Sequence, residues 1–395
     1  MRIKKTGKLT ACVLALAIMS SVLTGCGGKS AADYNEQGMT FYEQGDFDQA
    51  LSYLEKATSM DEDNVTYKQN YAMVLIQEGR QDEAIEILES TLTKKKKGAE
   101  GTRNKYAYRA LGLAYLNKHE YETAIEKFNK ALKLDVAEEW NTDIKYYKGN
   151  AQQLLGDTEA ALDTYTDILK TDSENALAYE ARAGIYRNNG EYEKAINDFN
   201  KALSYDDGSF EIYIGLAACC LETGDQAGAD EALFLASMLD IETNEDKFYL
   251  GVVHYYQGKF DQAQPEMEYA LANGIEEANF YLAELCMMNG DYETAMTYFA
   301  TYANSTVVES PTVCNDLAVC YMKSEEYDAA YEWIEKGLTF MSSTVRQELL
   351  RNEIACLEGM GDLSGAHTKL AEYITAYPED TAAATEYNWL DARVN

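Results

Sequence analysis

The sequence predicts an all-helical array of repeated helix pairs, and three observations carry that prediction. Only three of the 395 residues are proline, and 46% are hydrophobic, with alanine and tyrosine abundant. Such a composition favours helix over sheet and a folded chain over a disordered one. A turn of glycine, acid, aromatic, two variable residues and alanine recurs as Gly45-Asp46-Phe47 to Ala50, Gly190-Glu191-Tyr192 to Ala195 and Gly290-Asp291-Tyr292 to Ala295. Weaker copies end at Ala84, Ala124, Ala161, Ala229, Ala263, Ala330 and Ala366, which sets the ten alanines 32 to 40 residues apart and mostly near 34. A period of that length belongs to stacked supersecondary units.

The first segment reads as targeting rather than fold. Arg2, Lys4, Lys5 and Lys8 precede an apolar run from Leu9 to Leu23, too short to span a bilayer comfortably. The run ends in Leu23-Thr24-Gly25-Cys26, which resembles the lipobox of bacterial lipoproteins. That resemblance implies cleavage after Gly25 and acylation of Cys26, leaving 26–33 as a lipid-bearing spacer. Two or more acyl chains anchor stably where one does not. The expected location is therefore the extracytoplasmic face of a bacterial cell membrane. With the four basic residues of 1–25 removed and all 67 acidic residues kept, the mature charge is −37. Gly28-Lys29-Ser30 imitates the end of a phosphate-binding loop, but Leu23 stands where its first glycine belongs and no strand precedes it.

The repeats occupy 31–378. Twelve residues before each turn alanine stands a small residue in nine copies, among them Gly38, Gly112, Gly149 and Gly251. Four after it stands a bulky apolar one, such as Leu54, Phe128, Tyr165 and Met267; seven after it, often another alanine. Offsets of four and seven share one helical face. These matches resemble the tetratricopeptide repeat family. The resemblance implies a right-handed superhelical α-solenoid of about ten helix-turn-helix repeats, here expected as one continuous array. Residues 379–395 read as a capping helix whose Tyr387, Trp389 and Leu390 cover the last apolar face, as a solenoid end requires. Four copies depart from the pattern: His119 and Glu325 replace the turn glycine, Gln152 an aromatic, and Ile354 the small residue, where a shifted register is expected.

Composition narrows the function. Lys plus Arg total 34 against 67 Asp plus Glu, a net charge of −33, which repels phosphate backbones and argues against nucleic acid. Three histidines leave little for acid–base or metal chemistry, so no enzyme, cofactor or metal site is expected. His254 holds a repeat-core position and reads as a hydrogen-bonded core residue. The cysteines at 219, 220, 286, 314, 320 and 356 mostly replace core residues and read as buried free thiols, with disulfides the alternative in an exported chain. Lys94, Lys95, Lys96 and Lys97, followed by Arg103 and Lys105, fall in the longest spacing. They read as a solvated loop favouring a helix C-terminus, or as a contact with an anionic surface.

Proteins of the resembled family bind peptides on the first helices of their repeats. Counting back from the turn alanines of copies six to nine places Ile214, Leu221, Phe248, Val252, Tyr255, Tyr256, Phe280, Met287, Met288, Asn315 and Met322 on that face. An apolar run on a normally exposed face marks an interaction site, unless part of it packs between neighbouring helices. The expected function is thus a membrane-anchored scaffold for a protein or peptide. The alternative is an accessory subunit of an envelope enzyme or of a secretion or pilus machine, resembling pilotins.

Overall fold

The computed structural model describes residues 29–206, 209–305, 310–340 and 345–394. The signal segment and Cys26 lie outside them. Among the described residues the fold is all-α, with 21 α-helices, a 3₁₀ turn at Glu138–Trp140 and no strand. Within each of two compact units neighbouring helices pair as solenoid repeats, and the last helix is the cap.

Two compact units divide the chain, one ending at Ile185 and the other beginning at Tyr186. In the first, α1 is Ala31–Gln44, α2 Phe47–Met60, α3 Val65–Gln77, α4 Gln81–Ser90 and α5 Gly98–Asn117. It continues with α6 Tyr121–Leu132, α7 Asn141–Leu154 and α8 Thr158–Thr171; α9, Ala176–Asn188, contains the boundary. In the second, α10 is Tyr192–Tyr205, α11 Phe210–Glu222, α12 Gln226–Ala236, α13 Asn244–Tyr256, α14 Phe260–Ala272 and α15 Ala278–Met288. Then follow α16 Tyr292–Ser305, α17 Pro311–Lys323, α18 Tyr327–Leu338, α19 Arg346–Met360, α20 Leu363–Ala376 and α21 Thr381–Val394.

The recurring turn has one geometry. The residue five before each turn alanine is left-handed in all ten copies, as glycine in eight and as His119 and Glu325 (φ 61° each) in two. The next residue's N–H reaches back five positions to close the helix, as from Asp46 to Phe41 O (2.9 Å) and from Asp157 to Gln152 O (2.9 Å). That bond satisfies a carbonyl which the helix end would otherwise leave unpaired. The acid of the motif caps the following helix: Asp46, Asp157, Asp225 and Asp362 each accept a backbone N–H of the first turn. Where the acid is Glu120, Glu191 or Glu326, the longer side chain makes no such bond. All ten turn alanines are fully buried.

The departures are absorbed locally. Gln152 is buried and accepts the Thr164 hydroxyl at 2.7 Å. Ile354 is buried in one cluster with Leu357, Ala366 and Leu370. The forty-residue spacing becomes a loop before the longest helix, α5, stitched by Asn104, whose amide donates to Thr93 O (2.9 Å) and Lys95 O (2.6 Å). Two expectations are corrected here. Lys94 to Lys97 lead into the N-terminus of α5 rather than a helix C-terminus, with Lys97 at its N-cap position. Lys105 is fully buried, its ammonium donating to Val136 O (2.6 Å) and Asn141 Oδ1 (2.8 Å), so it offers nothing to a surface. Lys94 to Lys97 themselves are exposed, and Lys95 pairs with Glu100 at 2.6 Å.

The cap is also partly corrected. Ala383 and Leu390 of α21 are fully buried, and Tyr387 stacks on His367 at 4.6 Å between ring centroids. Trp389 instead faces solvent, with the Arg393 guanidinium 3.5 Å over its ring.

Candidate binding face

In the second unit, the first helices of successive repeats, α11, α13, α15 and α17, carry the residues singled out in the sequence. Position fifteen before the turn alanine meets position fourteen of the next repeat. Phe248 lies 5.9 Å from Tyr281 between ring centroids, and Asn352 Nδ2 donates to Asn315 Oδ1 at 2.9 Å. The same register appears in the first unit, where Asn70 Nδ2 donates to Asn35 Oδ1 at 2.9 Å.

This register corrects part of the expected groove. Phe248 and Val252 are 6% and 2% exposed and belong to the core with Met267 and Leu282. Asn315 is buried as well, with Asn352 of α19 hydrogen-bonded over it. Ile214 packs on the same core, Phe280 lies between Phe299 and Tyr302, and Met287 and Met322 pack on neighbouring clusters. Leu221 and Met288 remain exposed near the ends of their helices. The apolar run is therefore mostly inter-helix packing.

What the structure brings together at the surface is more polar. Tyr255 meets Tyr256 at 5.6 Å and Tyr281 at 5.4 Å between centroids, edge to face in both cases. Its hydroxyl donates to Glu284 Oε2 at 3.2 Å. Burial pushes the Glu284 carboxyl up, and the bond from Tyr255 opposes that shift. Asp316 is pushed up to about 7, first by burial and then by the charge of Glu284, with an Asn315 hydrogen bond opposing. Burial also raises Tyr256 and Tyr281, while Arg187 draws both down. Two carboxyls beside tyrosine rings can accept amide N–H donors or take up a cation.

Tyr281 and Asp316 escaped the sequence reading. Both stand fourteen before their turn alanines, a position the offset count did not include. His254 is hydrogen-bonded, its Nδ1 2.8 Å from Glu266 Oε2. All six described cysteines are free, and five are buried. Burial pushes the thiols of Cys219 and Cys356 up to about 11 and that of Cys320 up to about 12, so they stay protonated and inert. Among the described residues, no group of three or more His, Cys, Asp or Glu is placed to hold a metal ion. None of the described helices is long and apolar enough to cross a membrane.

These features define a class: a solenoid of helix pairs closed by left-handed turns, with partly exposed tyrosines and carboxyls on its first helices. Models of the tetratricopeptide repeat match residues 41–101, 105–135, 176–209, 250–312 and 311–340, together more than half of the chain. The chain belongs to the tetratricopeptide repeat family. It is 28% identical over 208 residues to the Hsp70-Hsp90 organizing protein of Triticum aestivum, covering 45% of this chain and 35% of that protein. It is 26% identical over 205 residues to stress-induced-phosphoprotein 1 of Caenorhabditis elegans, covering 45% of this chain and 63% of that one. The match thus spans about a third of the wheat protein and under two thirds of the nematode one. A tetratricopeptide repeat protein from Parabacteroides merdae superposes with a TM-score of 0.46 at 18% identity, covering 64% of this chain and 99% of that one.

Proposed function

We propose that this protein is a lipid-anchored extracytoplasmic scaffold that holds a peptide segment of a partner protein and performs no reaction itself. One observation carries the reading: the contiguous face of Tyr255, Tyr256, Tyr281, Glu284 and Asp316 on the first helices of the second unit. Tyrosine rings offer large contact area at small entropic cost, and the carboxyls beside them offer acceptors for backbone amides. The wheat relative, by its name, organises other proteins, which agrees with binding rather than catalysis. The tether rests on the basic start, the apolar run and Leu23-Thr24-Gly25-Cys26. Lys94 to Lys97, exposed in their loop, would orient the tethered chain over anionic head groups.

Cross-linking and co-purification of the full chain from its own membranes test the scaffold. Tyr256→Ser with Asp316→Ala is expected to abolish capture of the cross-linked partner while the helical signal stays unchanged. Capture that survives in this variant would place the binding face elsewhere. A captured synthase or secretion component would make the chain an accessory subunit of that machine. Intact mass tests the tether separately: residues 1–25 are expected to be missing and Cys26 to carry lipid. An unmodified, unprocessed chain from a lipid-modifying host would refute the anchor.

A further inference from the structure

The largest departure from the repeat pattern lies not on the first helices but on α12 and the turn after it. Phe234, Leu235, Met238 and Ile241 are 60%, 41%, 69% and 43% exposed. Five residues past the turn alanine, where Phe234 stands, the other nine copies carry Glu, Asn, Thr or Ala. Nine past it, where Met238 stands, they carry Ser, Thr, Lys, Asn or Ala. Leu235 likewise replaces polar or charged residues in every copy but one, which has Tyr269. Packing does not require these side chains: Ala229, Ala232, Leu233 and Ala236 already bury the inward face of α12.

Phe234, Leu235 and Met238 form one stripe, and Ile241 follows three residues beyond Met238. Phe234 and Met238 are four apart and Leu235 and Met238 three apart, spacings that place side chains side by side on a helix. The helical path continues past Ala236 through the bond from Met238 N to Leu235 O (3.1 Å). Beyond Ile241 the backbone is held by Asp246, whose carboxylate accepts the N–H groups of Glu242 (3.0 Å) and Thr243 (2.8 Å). The stripe is therefore presented on ordered backbone.

Its surroundings say what would cover it. From Ala202 to Asp246 the sequence contains eleven acidic residues and no Lys, Arg or His. Asp230, Glu231, Asp240 and Glu242 flank the stripe, and all four are exposed. An anionic bilayer would be repelled by that flank, and so would a second copy of a chain carrying a net charge of −33.

We propose that this stripe docks a cationic amphipathic helix of a partner protein. Its apolar side lies on Phe234, Leu235, Met238 and Ile241, and its lysines or arginines lie over Asp230, Glu231, Asp240 and Glu242. The site is separate from the face of Tyr255 and Tyr281, so one chain can hold two segments.

The test uses a fluorescent eighteen-residue Leu/Lys peptide with its leucines on one helical face. The full chain and its Phe234→Ser, Met238→Ser double variant are compared in the same non-ionic detergent by anisotropy. The double variant is expected to bind the peptide at least tenfold more weakly, with unchanged circular dichroism. A Leu/Glu peptide of the same pattern is expected not to bind. A smaller loss in the double variant overturns the proposal, as does equal binding of a scrambled Leu/Lys peptide, which would reduce the effect to charge alone. A fall in oligomeric state of the double variant on sedimentation also overturns it, making the stripe a contact between copies. The Tyr256→Ser, Asp316→Ala variant is expected to bind the peptide as the wild type does, which separates this site from the first-helix face.

Discussion

Gly112 lies directly against the ring of Phe128: a Cβ on the glycine would stand 2.4 Å from Cε1 of the phenylalanine. The two residues are sixteen apart, on α5 and α6 of one repeat. The same offset joins Gly38 to Leu54, Gly149 to Tyr165 and Gly251 to Met267, where the added carbon would lie 2.6, 2.8 and 3.1 Å from the bulky side chain. Each bulky residue is a knob, and the missing side chain opposite is its hole. The pairing holds the two helices of a repeat at close approach.

Gly112→Ala is accordingly expected to destabilise the chain. The alanine gains about 1 kcal/mol of intrinsic helix propensity. Overpacking a buried ring typically costs about 1–3 kcal/mol, and Phe128 is fully buried. A net loss of up to roughly 2 kcal/mol should appear in urea denaturation. Phe128→Leu, added to Gly112→Ala, should recover part of it by relieving the clash. A neutral or stabilised single variant would show that the ring can move aside.

Glu325 and His119 occupy left-handed positions that the other eight copies give to glycine. A side chain there costs about 1–2 kcal/mol, and glycine costs roughly 0.5–1 kcal/mol in unfolded-state entropy. Glu325→Gly should therefore stabilise the chain by about 1 kcal/mol, measured as a higher denaturation midpoint. His119→Gly should gain less, because His119 Nδ1 lies 3.1 Å from the Tyr121 hydroxyl and that contact is lost.

Thr164→Val removes the donor that satisfies buried Gln152 Oε1, and a loss of about 1–3 kcal/mol is expected. Combining it with Gln152→Leu removes donor and acceptor together. The double variant should be more stable than Thr164→Val alone. A double-mutant cycle showing no coupling would mean that Gln152 finds another donor when Thr164 is gone.

Asp316 should make stability depend on pH. Its carboxyl rises from the usual 3.8 to about 7 in the fold. Between about pH 4 and 7 the folded chain holds a proton that the unfolded chain has released, so the stabilisation is complete at low pH and is lost as pH rises through 7. Asp316→Asn should leave stability near pH 4 almost unchanged and raise it at pH 8. The expected gain is about 1–2 kcal/mol, less than the full shift implies because the carboxyl keeps some solvent contact. Equal wild-type and variant pH profiles would remove Asp316 as the cause.

The sequence by itself determined the parts that close within one repeat. The left-handed turn, the buried turn alanine and the glycine facing a bulky side chain join residues at most sixteen apart, on two helices tied by a short turn. Their geometry is set by the helical period, so counting suffices. The sequence also showed that Gln152 was out of pattern, though not that Thr164 would satisfy it. Only the tertiary structure decided what the first helices expose, because that depends on the next repeat. Phe248 looked like a groove residue, but Tyr281, thirty-three positions on, lies against it. Asn315 is covered in the same way by Asn352. Lys105 looked like part of a basic cluster until the backbone at Leu134 and Val136 enclosed its ammonium. Burial is a property of stacking between repeats, and the residue that does the covering lies on a different helix, at an offset the period of a single helix does not reveal.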